Sequence, residues 1–289
     1  MRVPGKINKY EIINTIKEAI IEDMGGYGDI TSKYLIPEVS KSSAYILCKE
    51  KDEAVLSGVD VAGFILEQID STIQFEKIKS DGEKLKYLDK VCRMKGNTMG
   101  LLAAERTILN FIQHMSGIAT TTSKFSNIAS RYNVKIADTR KTKPGLRKLE
   151  KYAVTCGGGY NHRFGLYDGI LIKDNHIKVA GGVKKAINEI RSNIPHQLKI
   201  EVEVKDFNEL DEAISVQADI IMLDNMTPDK IKECVKSIRK KLGNTCIIEA
   251  SGNVNLANLE ELCKTGVSII SVGSITHSAP SIDFSLEFE

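Results

Sequence analysis

Apolar positions along this chain change their spacing twice, and the two changes divide it into three stretches. In the first twenty-one residues they recur at helical steps, with Ile12, Ile13, Ile16 and Ile20 on one stripe. Residues 22–32, EDMGGYGDITS, then predict a glycine-rich turn. As a phosphate loop this stretch is weak, because no strand precedes it and no Lys-Ser/Thr follows. From residue 41 to 97 short β-like runs at 44–48, 54–57, 73–78 and 90–94 surround one amphipathic helix, Val59–Ile69. Asp81-Gly82 and Gly96-Asn97 punctuate them as turns. The pattern predicts a small α+β domain with an antiparallel sheet. A long helix follows over 98–116, with Leu101, Ile108, Ile112 and Met115 lining one face. Arg106 lies about 140° around from Leu101, off that stripe.

After residue 130 the rhythm becomes strand, helix, strand, helix. The β-rich runs are 134–137, 170–172, 200–204, 220–223, 246–248 and 269–272. Asp206 and Glu209 mark one intervening helix as a capping box, and Thr227-Pro228 opens another. Such alternation means parallel strands with crossover helices. Polar residues fall at the carboxyl ends of successive runs: Asp138-Thr139-Arg140, Lys173-Asp174, Glu203, Asp224, Glu249 to Ser251, and Gly273-Ser274. In a (β/α) barrel those ends meet at one mouth. An open doubly wound sheet would not obviously use all six, and no GxGxxG follows any of them. The expected architecture is therefore an incomplete (β/α) barrel of six visible strands preceded by the small α+β domain, with domains at 1–115 and 116–289.

Composition narrows the function classes. A net charge of +2, no Trp and 6% aromatic residues give no reason to expect a nucleic-acid surface. No apolar run approaches the roughly 18 residues a membrane span needs. Charged residues such as Lys6, Lys9 and Glu11 near the start argue against a signal peptide, so a cytoplasmic protein is expected. Six cysteines without CxxC spacing fit reduced core thiols, Cys156 included.

Charge is concentrated in one place. Residues 137–176 hold five Lys and three Arg against four acids, a formal +4 that leaves the remainder of the chain at −2. Arg147-Lys148 reads as a solvated helical pair. Arg140, Arg163 and Lys173 instead sit at the edge of β-like runs or beside the Gly157-Gly158-Gly159 turn. Arginine binds carboxylates and phosphates through a planar fork, and lysine binds phosphate as a point charge. With Glu203 and Asp224 opposite, this predicts a pocket for a small, multiply anionic substrate whose phosphates are bridged by Mg²⁺. Backbone N–H groups at Ser251-Gly252-Asn253 and Gly273-Ser274 are suited to cradling phosphate.

The segments EDMGGYGDITS, AERTILNFIQHMSGIAT, ADTRKTKPGLRKLEKYAV, GGGYNHRFGLYDGILIKDNHI, IEVEV, IMLDN, EASGNV and SVGSITHS, spread almost end to end, resemble the quinolinate phosphoribosyltransferase family. Lys143 and Met115 depart from its usual Thr and Leu. The resemblance implies phosphoribosyl transfer from phosphoribosyl pyrophosphate to quinolinate with decarboxylation, giving nicotinate mononucleotide, pyrophosphate and CO2 with Mg²⁺. It implies that Arg140, His162, Arg163 and Lys173 surround the quinolinate carboxylates. Thr139, Lys141, Glu203, Asp224, Ser251, Gly252, Asn253, Gly273 and Ser274 would hold the ribose, metal and phosphates, with Lys173, Glu203 and Asp224 as the catalytic group. It also implies a homodimer, or an assembly of dimers, in which Arg106 completes the neighbouring site. Two alternatives remain at this level: a Schiff-base barrel aldolase or decarboxylase using Lys173, and a molybdenum-transport-associated relative that binds without this turnover.

Overall fold

The computed structural model describes residues 5–289; residues 1–4 of the expected first domain lie outside the described residues. The chain packs as two compact units that interleave in sequence. One takes the chain up to Ser123 with Thr142–Gly158 and Ile275–Glu289; the other takes Lys124–Lys141 and Gly159–Ser274.

The first unit begins with helix α1 (Lys9–Met24), whose buried face is Ile12 and Ile16, and α2 (Ile30–Leu35). The predicted turn is shorter than expected: Asp29 accepts the Ser32 N–H at 3.1 Å and so caps α2, converting the second half of the glycine-rich stretch into helix. Strands β1 (Lys41–Cys48), β2 (Ala54–Val55), β3 (Gln74–Lys77), β4 (Lys84–Leu85) and β5 (Lys90–Asn97) follow, with helix α3 (Val59–Ile69) among them. β1, β5 and β3 pair antiparallel, as the alternating pattern predicts. The other edge of β1 is filled by a strand that the sequence reading missed, Phe284–Phe288, which pairs antiparallel with it.

Helix α4 (Thr98–Ala129) is 32 residues long, well past the expected end at 116. Gly117 suggests a stop, yet it serves as a close contact: a Cβ there would collide with the carbonyl oxygen of Pro280. Ile118 and Ala119 are fully buried just beyond it, and that burial outweighs the weak helix propensity of the Thr120–Thr122 run. Helix α5 (Arg147–Cys156) keeps Lys148 exposed as expected but buries Glu150 and Lys151 completely. Glu150 accepts from His114 Nε2 at 2.8 Å and from the Lys143 N–H at 3.2 Å, which supplies the partners a buried carboxylate needs.

The second unit carries the parallel strands β6 (Lys135–Ala137), β7 (Ile170–Ile172), β8 (Ile200–Val204), β9 (Ile220–Asp224), β10 (Ile247–Ser251) and β11 (Ile269–Ser271). Their order is β6-β11-β10-β9-β8-β7, an incomplete (β/α) barrel with β6 and β7 at its two edges. The outer edge of β6 is covered by Tyr160, which exchanges backbone hydrogen bonds with Ile136 and Asp138. The six cysteines are all buried and unbridged, and burial pushes the Cys156 thiol up to about 12, unsuited to a nucleophile. No helix among the described residues is long and apolar enough to cross a membrane.

Candidate active site

Side chains alternate along a strand, so the residues facing the barrel interior can be read two by two. On β8 they are Glu201 and Glu203; on β9, Met222 and Asp224; on β10, Glu249 and Ser251; on β7 the sequence runs from Leu171 to Lys173. Register places Ser251 beside Asp224 and Glu203 beside Met222. Lys173, Glu203, Asp224 and Ser251 form a polar rim, with Leu171, Met222 and Ser271 lining the same cavity, while Glu201 and Glu249 form a deeper, buried layer against the His162 ring.

The rim opens into a cavity of about 580 Å³. Thr139, Arg140, Lys141, His162, Arg163, Lys173, Glu203, Asp224, Ser251, Gly252 and Asn253 all line it, so most of the expected site residues meet in one place. Gly273 and Ser274 do not line it; they follow β11, with Ser274 opening a one-turn helix, and Ser271 lines it in their stead. Arg106 is exposed on α4 in the other unit and is not among the lining residues.

Two loops form the small-residue wall. Asn225 and Asn253 adopt positive φ of 52° and 50°, and Gly252 has φ 99°. A Cβ on Gly252 would collide with the Asn225 side chain, so only glycine fits. The Asn225 N–H donates to Ser251 O at 2.9 Å and Asn253 Nδ2 to Asn225 Oδ1 at 3.2 Å, tying the ends of β9 and β10 together.

The cations face one another with few internal partners. Arg163 donates through Nη1 to Gly169 O at 2.9 Å, while its buried Nε–H has no protein partner. Burial and then the neighbouring Arg140 charge hold its pKa below the usual arginine value, with Glu201 opposing. Two guanidinium groups set together with an unanswered N–H are arranged for an anion that the protein itself does not supply. Lys173 Nζ pairs with Glu203 Oε2 at 3.2 Å, and Asp224 accepts from Asn225 Nδ2 at 2.6 Å. Lys173 thus sits beside a carboxylate, unlike the apolar or cationic setting that activates a Schiff-base lysine.

Under the rim lies a network that sequence reasoning overlooked. Asp138, fully buried, accepts the His162 backbone N–H at 2.8 Å and Asn161 Nδ2 at 2.6 Å. The His162 ring accepts the Arg163 N–H at Nδ1 (2.8 Å), so the ring proton resides on Nε2, which faces Glu201 Oε2 at 3.1 Å and Glu249 Oε1 at 3.8 Å. Burial first, and then the Glu201 charge, push Glu249 up to about 7, with His162 opposing. The signal for Glu201 was present in the sequence, since it stands two residues before Glu203 in IEVEV and must share its face.

This geometry separates two candidate metal sets. Among the described residues, His162, Glu201 and Glu249 bring one ligand atom each within 4.8 Å of one another. A ring whose Nδ1 is already an acceptor keeps its proton on Nε2 and donates there, so it does not fit a metal. Glu203 and Asp224 fit Mg²⁺ better: both offer hard carboxylate oxygens on an open cavity where substrate phosphate oxygens and water could complete the coordination.

Comparison with known proteins identifies the family. The quinolinate phosphoribosyl transferase N-terminal and C-terminal domain families match residues 29–116 and 118–287. A Bacillus subtilis protein described as a probable nicotinate-nucleotide pyrophosphorylase (carboxylating) is 40% identical over 283 residues, covering 97% of this chain and 94% of its own. A Methanocaldococcus jannaschii protein of the same description is 41% identical, covering 95% and 96%. The solved structure of the nicotinate-nucleotide pyrophosphorylase from Francisella tularensis superposes with a TM-score of 0.91 at 41% identity, covering 98% of each chain. Fold, strand-end chemistry and sequence together place this chain in the quinolinate phosphoribosyl transferase family.

Proposed function

We propose that this protein transfers the phosphoribosyl group of phosphoribosyl pyrophosphate to quinolinate and decarboxylates the adduct, giving nicotinate mononucleotide, pyrophosphate and CO2 in de novo NAD biosynthesis. The observation that carries this reading is the Arg140–Arg163 pair, with its unanswered buried N–H, set beside Lys173 and opposite Glu203 and Asp224 in one cavity. Pyridine-2,3-dicarboxylate brings two adjacent negative charges, and removing them from water requires fixed cations. Arg140, Arg163 and Lys173 supply those, with the His162 ring as part of the wall.

The transfer step forms a bond from the pyridine nitrogen to ribose C1 while the C1–oxygen bond to pyrophosphate breaks. Positive charge develops on the ribose in between, and the carboxylates of Glu203 and Asp224 lie where ribose hydroxyls and a metal would be held. Lys141, Thr139 and the Ser251–Asn253 loop receive the phosphates. Loss of CO2 then leaves an electron pair on the ring carbon that takes up a proton. Mg²⁺, when bound through Glu203 and Asp224, neutralises pyrophosphate oxygens. No side chain is needed as a nucleophile, in keeping with the buried, inert thiols.

The same reading includes a cytoplasmic location, consistent with six unbridged cysteines, and a homodimer in which Arg106 reaches the neighbouring site. The deciding measurement is CO2 release from carboxyl-labelled quinolinate. Release that requires both phosphoribosyl pyrophosphate and Mg²⁺ is expected. Binding of phosphoribosyl pyrophosphate without release would favour the non-biosynthetic relative instead. Glu203→Ala and Asp224→Ala are each expected to raise the Mg²⁺ concentration needed for half-maximal rate by about tenfold or more, while quinolinate binding measured by calorimetry stays within twofold. Unchanged Mg²⁺ titration curves in both variants would remove these carboxylates from the metal.

A further inference from the structure

The deeper layer of the barrel holds a carboxylate that touches no expected substrate group, yet it sits at the root of one that does. Glu201 projects from β8 on the face it shares with Glu203, is 5% exposed, and meets His162 Nε2 through both oxygens, at 3.1 and 3.3 Å. The other ring nitrogen, Nδ1, accepts the N–H of Arg163 at 2.8 Å. The imidazole is therefore a strut: one end rests on a strand of the barrel, the other on the backbone of the cavity's best-placed guanidinium. A second fixed carboxylate, Asp138, holds the His162 backbone N–H at 2.8 Å. Beyond Arg163 Cα, the guanidinium is tied at Nη1 to Gly169 O.

We propose that Glu201 is a positioning residue for quinolinate: it fixes the tautomer and tilt of His162, and through the Nδ1 contact it sets the direction from which Arg163 presents its N–H groups. This rests on the proposed function above. A buried carboxylate with no catalytic task is costly unless its partner needs it, and a bidentate Arg–carboxylate contact tolerates little angular error. Glu249 is the weaker support, since its nearest approach to the ring is 3.8 Å. The expected division is thus asymmetric, with Glu201 dominant.

The test compares Glu201→Leu with Glu201→Gln. Leucine removes the acceptor; glutamine keeps a carbonyl oxygen that can take the Nε2–H. Glu201→Leu is expected to raise the KM for quinolinate by about tenfold or more, the scale of one lost charge-assisted bond, while the KM for phosphoribosyl pyrophosphate moves less than twofold. Glu201→Gln should recover most of that loss. ¹⁵N spectra of His162 should show only the Nε2–H tautomer in the wild type and Glu201→Gln, and a mixture in Glu201→Leu. Equal changes in both KM values, or a glutamine variant as impaired as the leucine one, overturns the proposal. If Glu201→Leu does not fold, Glu201→Met, which fills similar volume without an acceptor for Nε2–H, takes its place; the same quinolinate-selective change is expected, and an unchanged KM overturns the proposal. If the wild type does not turn over quinolinate, the proposed function fails, and the tautomer spectra still decide whether Glu201 sets the ring.

Discussion

Arg163→Ala is expected to lower quinolinate turnover by about 200- to 5000-fold and to abolish quinolinate binding detectable by calorimetry. Removing one member of a desolvated charge contact costs about 3–5 kcal/mol. Two features make Arg163 the most sensitive of the cavity cations. It is half-buried while Arg140, Lys141 and Lys173 are exposed, so its charge is screened least. Its Nε–H is buried without a protein partner, so a bound carboxylate gains a hydrogen bond and does not merely exchange one. Alanine removes the charge beside Arg140 together with the Nη1 bond to Gly169 O. The variant is expected to stay folded, with unchanged phosphoribosyl pyrophosphate binding. Near-normal quinolinate affinity in a folded Arg163→Ala protein would remove Arg163 from the site.

The rim of this site is legible in the sequence because strand periodicity is local. Apolar runs of three to five residues predict β7 and β8 to the residue and β6, β9 and β11 within one, while β10 extends three residues past the expected 246–248; the polar residues directly after the β7 and β9 runs, Lys173 and Asp224, land at the cavity. What periodicity cannot supply is the partner of a contact. The helix is expected to end at 116, and nothing nearby says that Gly117 packs against Pro280, far along the chain. The strand Phe284–Phe288 is a modest alternating run whose meaning depends on the free edge of β1. Glu201, Glu249 and Glu150 are carboxylates, the residue type least expected in a core; Glu201 and Glu150 are admitted by a histidine or backbone N–H from elsewhere in the fold, while Glu249 lies 3.8 Å from the His162 ring with its buried Oε1 unbonded. His162 shows the same limit: the sequence marks it as a polar group beside Arg163, and only the fold shows both ring nitrogens already engaged. Gly273-Ser274 reads as a phosphate cradle by composition, but the inward phase of β11 delivers Ser271 to the cavity.

Arg106 requires a different kind of test, because it is exposed on α4 and lines no part of the cavity in its own chain's second unit. An exposed arginine ordinarily contributes a few tenths of a kcal/mol. In the proposed homodimer a two-fold related copy delivers it, each subunit serving the other. Arg106→Ala and Lys173→Ala proteins are each expected to be inactive as homodimers, since every site then lacks one cation. Mixing them separates the two origins of the arginine. A hybrid dimer joins an intact Lys173 on one chain to an intact Arg106 on the other, which rebuilds one site and leaves its twin doubly defective. With random exchange half of the dimers are hybrids, each with one working site of two, so activity should recover to roughly a quarter of wild type. The recovered rate should follow the fraction of hybrid measured by native mass spectrometry. If exchange is confirmed and no activity returns, Arg106 acts within its own chain or not at all. An Arg106→Ala protein that is already active removes it from the reaction altogether.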